Sequence, residues 1–137
     1  MKDILVVYWS ASGNTEMMAR KLAEGADADL YSIDDISPED ALKYNKIAFG
    51  CPAMGDTFEE GEEFFEWYEQ LENSLDGKKI AIFGSFGWGS GEWMEDWSER
   101  LSHLDVTFFE EPLMANEAPS TDEEDEAFAF GQRFKSF

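Results

Sequence analysis

Near the start of the chain, the run Ile4-Leu5-Val6-Val7-Tyr8-Trp9 is apolar throughout and rich in β-branched and aromatic side chains. It is too short to span a membrane, and an unbroken apolar run of this length is typical of a strand buried on both faces. A loop of small polar residues, Ser10 to Thr15, follows at once. Behind that loop, apolar residues recur at the spacing of one helix face: Met18, Ala19, Leu22 and Ala23.

The loop from Ser10 to Thr15 has the chemistry of an anion site. Its N–H groups and those of the first helical turn can converge, the helix dipole adds partial positive charge, and the hydroxyls can donate to phosphate oxygens. The loop contains no Lys or Arg and no set of three spaced glycines, which excludes a Walker-type loop and a dinucleotide fingerprint. Taken alone, the pattern is equally consistent with an ordinary helix N-cap.

Short apolar runs and helical patterns alternate along the rest of the chain. Gly25 is predicted to end the first helix. The strands predicted after it are Leu30 to Ile33, Lys46 to Cys51, Lys78 to Gly84 and Val106 to Glu110. The predicted helices are a brief one at Ser37-Pro38 and longer ones from about Glu59 to Ser74, Glu92 to Leu104 and, after an acidic loop from Asn116 to Asp122, Glu123 to Phe134.

This alternation predicts the fold class α/β, a single-domain, doubly wound, five-stranded parallel sheet over residues 1–137. In such sheets, ligands bind beyond the carboxyl ends of the strands, at the point where the strand order reverses. Three loops rich in Gly and Ser follow the first, third and fourth predicted strands. All three therefore belong to one crevice.

The stretch Tyr8 to Thr15 resembles the phosphate-binding motif of flavodoxins, small flavin mononucleotide (FMN) proteins that carry electrons. The resemblance extends to Cys51-Pro52-Ala53-Met54-Gly55-Asp56 and, most specifically, to the segment from Ser85 to Met94. The fifth strand carries no long insertion, as in the short-chain class. The resemblance implies a flavodoxin-like sheet of order 2-1-3-4-5 and one non-covalently bound FMN. It also implies a low-potential carrier that passes electrons from a reductase to acceptor enzymes and is not itself an enzyme.

The same resemblance implies roles for individual residues. The peptide after Gly55 would turn over on reduction and accept a hydrogen bond from flavin N5, a step that suits glycine because it can enter positive φ. Met54 would lie on the inner ring face and Trp88 on the outer one. The implied cofactor-binding residues are Ser10, Ala11, Ser12, Gly13, Asn14, Thr15, Pro52, Ala53, Met54, Gly55, Asp56, Thr57, Ser85, Phe86, Gly87, Trp88, Gly89, Gly91 and Asn116.

Two positions depart from the family pattern. Ala11 stands where the phosphate loop usually has glycine, and Thr57 stands where many short-chain members place the glutamate that holds flavin N3. Either Glu59 or Glu60 reaches back to that site, or the contact is weaker or made by the backbone.

Charge narrows the range of partners. The chain has 31 acidic and 10 basic residues, a formal net charge of −21, which disfavours nucleic acid and anionic membranes and favours redox partners with basic docking surfaces. Solubility or salt adaptation is the alternative explanation. Cys51 is the only cysteine, and Met1-Lys2-Asp3 does not resemble a signal peptide, so we expect a cytoplasmic protein. We also expect a monomer without a bound metal.

Other interpretations can be weighed residue by residue. A phospho-receiver domain needs acidic residues at the ends of strands one and three, where this chain has Ser10 and Gly50-Cys51. A flavodoxin-like activator of one enzyme, such as a ribonucleotide reductase, or a small flavin reductase remains open. Cys51 and His103 lack catalytic partners in the sequence. The helical spacing of Trp93 and Trp97 predicts that both belong to the core.

Overall fold

The computed structural model describes residues 1–137, which form alternating strands and helices. The strands are β1 (Ile4–Tyr8), β2 (Asp29–Ser32), β3 (Lys46–Gly50), β4 (Lys79–Phe86), β5 (Thr107–Phe108) and β6 (Leu113–Asn116). The helices are α1 (Asn14–Ala26), α2 (Pro38–Ala41), α3 (Glu62–Glu72), α4 (Glu92–Ser102) and α5 (Thr121–Lys135). A 3₁₀ turn at Phe58–Glu60 precedes α3.

The sheet is parallel and has the order β2-β1-β3-β4-β5, which confirms the predicted topology. The predicted single strand from Val106 to Glu110 is wrong in detail, because two short segments, β5 and β6, pair in succession with β4. Between them, Glu110 has a φ of 47°, in the left-handed region, and Pro112 has no N–H to donate to a ladder. The chain must therefore leave the sheet edge there and rejoin it.

Alternate residues of the central strands enter two separate cores. On one face, Leu5, Phe49 and Ile82 pack under α3 and α4 in a cluster that also contains Trp93 and Trp97. On the other face, residues such as Val6, Ala48 and Ala81 pack under α1 and α5. Burial on both faces confirms what the apolar run at the start of the chain predicts. Trp93 and Trp97 are 2% and 0% exposed, as predicted for core residues.

Helix α1 does not end at Gly25, as the sequence suggests. It continues to Ala26, and Asp27, with a φ of 52°, forms the C-cap. Gly25 lies inside the helix because α5 passes so close that a Cβ there would stand 2.0 Å from the carbonyl oxygen of Phe128. The glycine serves helix packing rather than helix termination.

Other element boundaries also differ from the predictions. The helix expected from Glu59 starts at Glu62, after the 3₁₀ turn, and β4 continues through Ser85 and Phe86. Helix α5 starts at Thr121, where Ser120 forms a capping box with Glu123. None of the helices combines the length and the apolar composition needed to cross a bilayer.

Candidate functional site

The predicted site residues lie together at the carboxyl edge of the sheet. Because β1, β3 and β4 run parallel, the loops that follow them emerge side by side. Ser85 and Phe86 are the last residues of β4 rather than part of a loop, and Asn116 ends β6 in register with Phe86. The structure thus brings the three predicted ligand segments to one edge.

The loop after β1 presents free donors at the start of α1. The Ser10 hydroxyl oxygen accepts hydrogen bonds from the backbone N–H groups of Gly13 (3.0 Å) and Glu16 (3.3 Å) and holds the loop in a tight turn. Gly13, the N-cap residue of α1, has a φ of 94° and no side chain that could accept a hydrogen bond. The backbone N–H groups of Asn14 and Thr15 therefore have no acceptor in the chain. A bound anion can supply that acceptor.

Ser85 joins the loops to one another. Its hydroxyl lies 2.8 Å from the Thr15 hydroxyl across the sheet edge, and both side chains are buried. Its backbone carbonyl accepts a hydrogen bond from the N–H of Ala53 at 2.9 Å. Ser85 therefore connects the loop after β3 and the start of α1 through the end of β4.

Large apolar side chains are exposed at this edge. Trp88 and Met54, on different loops, are 57% and 45% exposed. Exposing such surface is unfavourable, and both groups suit a flat aromatic ligand, the thioether through its polarizability and the indole through stacking. Beside Trp88, a Cβ on Gly87 would meet nothing within 4 Å, and Gly89 has a φ of 77°. The site therefore offers stacking groups in addition to anion donors.

The two neighbouring glutamates after β3, Glu59 and Glu60, make different contacts. Glu59 forms an ion pair with Arg100 at 2.9 Å, whereas the Glu60 carboxylate lies directly against Gly55. Any Cβ at Gly55 would overlap that carboxylate. Gly55 does not have a positive φ in this structure. Of the two glutamates that could replace the usual one at position 57, only Glu60 lies against the loop.

Charges around the edge are mostly negative. The Glu92 carboxylate accepts hydrogen bonds from the backbone N–H of Ser90 (2.5 Å) and its hydroxyl (3.2 Å), and the backbone bond lowers the pKa of Glu92. Burial raises the pKa of Tyr8, and the nearby Glu16 carboxylate raises it further.

Burial also raises the pKa of the Cys51 thiol. The thiolate form, which a cysteine nucleophile needs, is therefore disfavoured.

Cavities alone do not identify the site. Two of about 380 and 450 Å³ lie around Met1, Lys43 and Tyr44, away from the loops at the carboxyl edge. A third, of about 390 Å³, is lined by residues that include Gly91 and Met114. No group of three or more His, Cys, Asp or Glu side chains is arranged to hold a metal ion. The chemistry of the carboxyl edge, rather than cavity size, identifies the candidate site.

Sequence reasoning missed two residues, Asp96 and Arg100, that hold the end of the loop after β3. The Asp96 carboxylate accepts a hydrogen bond from the backbone N–H of Phe58 at 3.0 Å, and Arg100 binds Glu59. Both belong to α4, far along the chain from the loop that they contact. Their spacing of one helical turn places them on the same face, but no local pattern indicates what that face touches.

Comparison with known proteins points to one family. The flavodoxin family model matches residues 6–131. The chain is 37% identical to the flavodoxin of Clostridium beijerinckii, over 93% of this chain and 96% of the relative. It is 38% identical to the flavodoxin of Megasphaera elsdenii, over 90% and 96% of the two chains. The solution structure of two-electron reduced Megasphaera elsdenii flavodoxin aligns with a TM-score of 0.75 at 35% identity, covering 98% of this chain and 99% of that one.

Proposed function

The chain belongs to the flavodoxin family, and from that premise we propose that its three carboxyl-edge loops hold one FMN between them. The protein is a flavodoxin-type electron carrier, not an enzyme, and its cofactor is FMN. In the proposed arrangement, the segment Ser10–Thr15 binds the phosphate. Met54 and Trp88 contact opposite faces of the ring, and the end of β4 lies along its polar edge. The remaining site residues implied by the family resemblance complete this set.

The fit of the cofactor rests on the donors and stacking groups of this structure. The unpaired N–H groups of Asn14 and Thr15, at the positive end of α1, suit a phosphate dianion. The exposed Trp88 and Met54 suit a flat ring. The observation that carries the proposal is that Ser85 hydrogen-bonds to both Thr15 and Ala53, so that one residue links the phosphate loop to the ring loops.

Bound FMN supplies the electron-transfer chemistry, and the protein supplies orientation and electrostatics. The backbone donors fix the phosphate end, and the indole of Trp88 limits the access of water to the ring. Asp56 and Glu60 place negative charge near the ring edge. That charge disfavours an additional negative charge on the reduced cofactor, which lowers the potential at which reduction occurs.

The protein acts with redox partner proteins. Basic docking surfaces on those partners are part of the proposal, supported by the net charge of −21 and the acidic residues around the site. The proposal places the protein in the cytoplasm; the lone, buried Cys51 needs no oxidising environment. We further propose that residues 1–137 act as one domain and as a monomer. An activator dedicated to one enzyme, or a flavin reductase, has no observation in its favour over the carrier.

A titration with FMN and with riboflavin, followed by quenching of flavin fluorescence, tests the proposal. Riboflavin lacks the phosphate, so it loses at least two charge-assisted hydrogen bonds of roughly 1.5 kcal/mol each, and its Kd should be about a hundredfold higher or more. Ser12→Ala should reduce that difference, whereas Ser136→Ala, at the far end of α5, should not. Equal affinities for the two flavins would show that Ser10–Thr15 does not bind the phosphate. If neither flavin bound, the whole proposal would be wrong.

A further inference from the structure

The 3₁₀ turn at Phe58–Glu60 is where the loop after β3 rejoins the folded core. The Phe58 ring is 1% exposed and stacks on Trp97 of α4, with ring centroids 4.3 Å apart and an interplanar angle of 10°. The Asp96 carboxylate accepts a hydrogen bond from the Phe58 backbone N–H at 3.0 Å. Helix α4 therefore holds the turn through one ring and one backbone group.

Arg100, one turn further along α4, also contacts the 3₁₀ turn, on its solvent side. Its guanidinium donates to both carboxylate oxygens of Glu72, at 2.7 and 3.1 Å, and to Glu59 at 2.9 Å. It also lies over the rings of Phe58 and Phe65, 5.9 and 5.0 Å from their centroids. The Arg100 side chain is 27% exposed and that of Glu72 is 14% exposed, so solvent screens this pair less than a surface pair. We call Phe58, Glu59, Glu72, Asp96 and Arg100 together the Arg100 clamp.

The Arg100 clamp forms one of two fixed ends of a short loop. At the other end, the Ala53 N–H donates to the Ser85 carbonyl at 2.9 Å. Only the segment Met54–Thr57 spans the distance between them. Its freedom to move is therefore limited by the two ends, and the clamp sets how far the segment stands from the end of β4.

We propose that Arg100 and Asp96 are positioning residues that set the reduction potentials of the bound flavin by fixing the segment Met54–Thr57. This inference rests on the proposed FMN site. A reduction potential measures how much more tightly the protein binds one oxidation state than the other. A loop held at both ends cannot adapt equally to every state, so it discriminates between them. A loosened loop adapts to each state, and that discrimination shrinks.

Arg100→Lys provides the test, because lysine keeps the charge but cannot donate in a fork to Glu72 while also reaching Glu59. Arg133→Lys is the matched control: Arg133 also joins two glutamates, Glu110 at 3.0 Å and Glu126 at 3.1 Å, but on α5. Both potentials are measured in an anaerobic titration followed by absorbance. In Arg100→Lys, the separation between the two potentials should shrink by the equivalent of about three- to tenfold in equilibrium constant, as expected for losing one partly exposed, charge-assisted hydrogen bond. In Arg133→Lys it should not change.

A second variant covers the case in which Arg100→Lys does not fold. Glu59→Gln removes one contact of the Arg100 clamp at a side chain that is 62% exposed, and it is measured at high salt to screen its charge. It should change the separation in the same direction by a smaller factor. If either folded clamp variant keeps the separation of the control, Arg100 only stabilises the fold and the inference is wrong. If the parent protein binds no flavin, the proposed function fails instead.

Discussion

The backbone of Gly55 is covered by a neighbouring side chain. The Glu60 carboxylate occupies the space that a Cβ at position 55 would need, and even the Glu60 Cβ would lie 2.9 Å from it. A substitution at this position must therefore displace Glu60 in this backbone conformation. Glycine at position 55 thus permits both a close contact with Glu60 and a change of backbone conformation.

We predict that Gly55→Val separates cofactor binding from redox behaviour. Valine displaces the Glu60 carboxylate in every oxidation state, but it resists positive φ, at a cost of roughly 1–3 kcal/mol, only in the state that needs it. The one-electron form should therefore be destabilised relative to the oxidised form. The first reduction potential should fall and the second should rise, as measured in an anaerobic redox titration.

Gly77→Ala is the control for Gly55→Val. Gly77 has a φ of 84°, so alanine strains the backbone there too, but position 77 precedes β4 at the opposite edge of the sheet. It should lower the free energy of unfolding and leave both potentials unchanged. Unchanged potentials in Gly55→Val would mean that the loop does not need positive φ.

At the scale of elements, two glycines set the distance between α1 and α5. A Cβ on Gly25 would lie 2.0 Å from the Phe128 carbonyl oxygen, and a Cβ on Gly131 would lie 2.1 Å from that of Leu22. Each helix thus contributes one glycine against the backbone of the other. The close approach lets α1 and α5 together cover one face of the sheet.

We predict that Gly25→Ala destabilises the protein although alanine favours helices. The propensity gain is about 1 kcal/mol, but the overlap with the α5 backbone forces the helices apart at a cost of about 3 kcal/mol, leaving a net loss of roughly 2 kcal/mol. Urea unfolding followed by circular dichroism measures it. Glu24→Ala, at the exposed neighbouring position, should stay within about 0.5 kcal/mol of the parent. A Gly25→Ala protein more stable than the parent would contradict the packing argument.

At the scale of the whole molecule, the acidic residues behind the net charge of −21 differ in how free their charges are to meet a partner. Glu60, Glu62 and Glu63 are exposed beside the candidate site, whereas Glu59 is partly neutralised by Arg100. The exposed three are the ones that a basic partner would meet. At long range their effect is screened by salt, with a Debye length of about 10 Å at 0.1 M.

We predict that changing Glu60, Glu62 and Glu63 together to Gln raises the second reduction potential modestly and lowers the on-rate with a basic partner at low salt. The control changes Asp3, Glu24 and Asp105, which are exposed towards the other edge, to Asn, Gln and Asn. It alters net charge equally and should affect both quantities less. Stopped-flow electron transfer and redox titration provide the two measurements. If the two triple variants behave alike, the acidity serves solubility rather than docking.

The sequence by itself determined the features that depend on near neighbours in the chain. Burial of β1 on both faces, the turn from Ser10 to Thr15 and the helical face that buries Trp93 and Trp97 all follow from local composition and period. The carboxyl-edge placement of the three loops follows from alternating strands and helices, because parallel strands end at one edge. Hence local patterns and their order along the chain suffice to predict the fold class and the location of the candidate site.

Only the tertiary structure decided matters that depend on contacts between distant segments. Gly25 reads as a helix end, yet α5 packs against it and the helix continues. Glu59 and Glu60 are equivalent in sequence, and Arg100 on α4 separates their roles by binding one and leaving the other against Gly55. Local propensities differ by less than about 1 kcal/mol per residue, whereas a backbone collision costs about 1–3 kcal/mol, so packing decides wherever the two conflict.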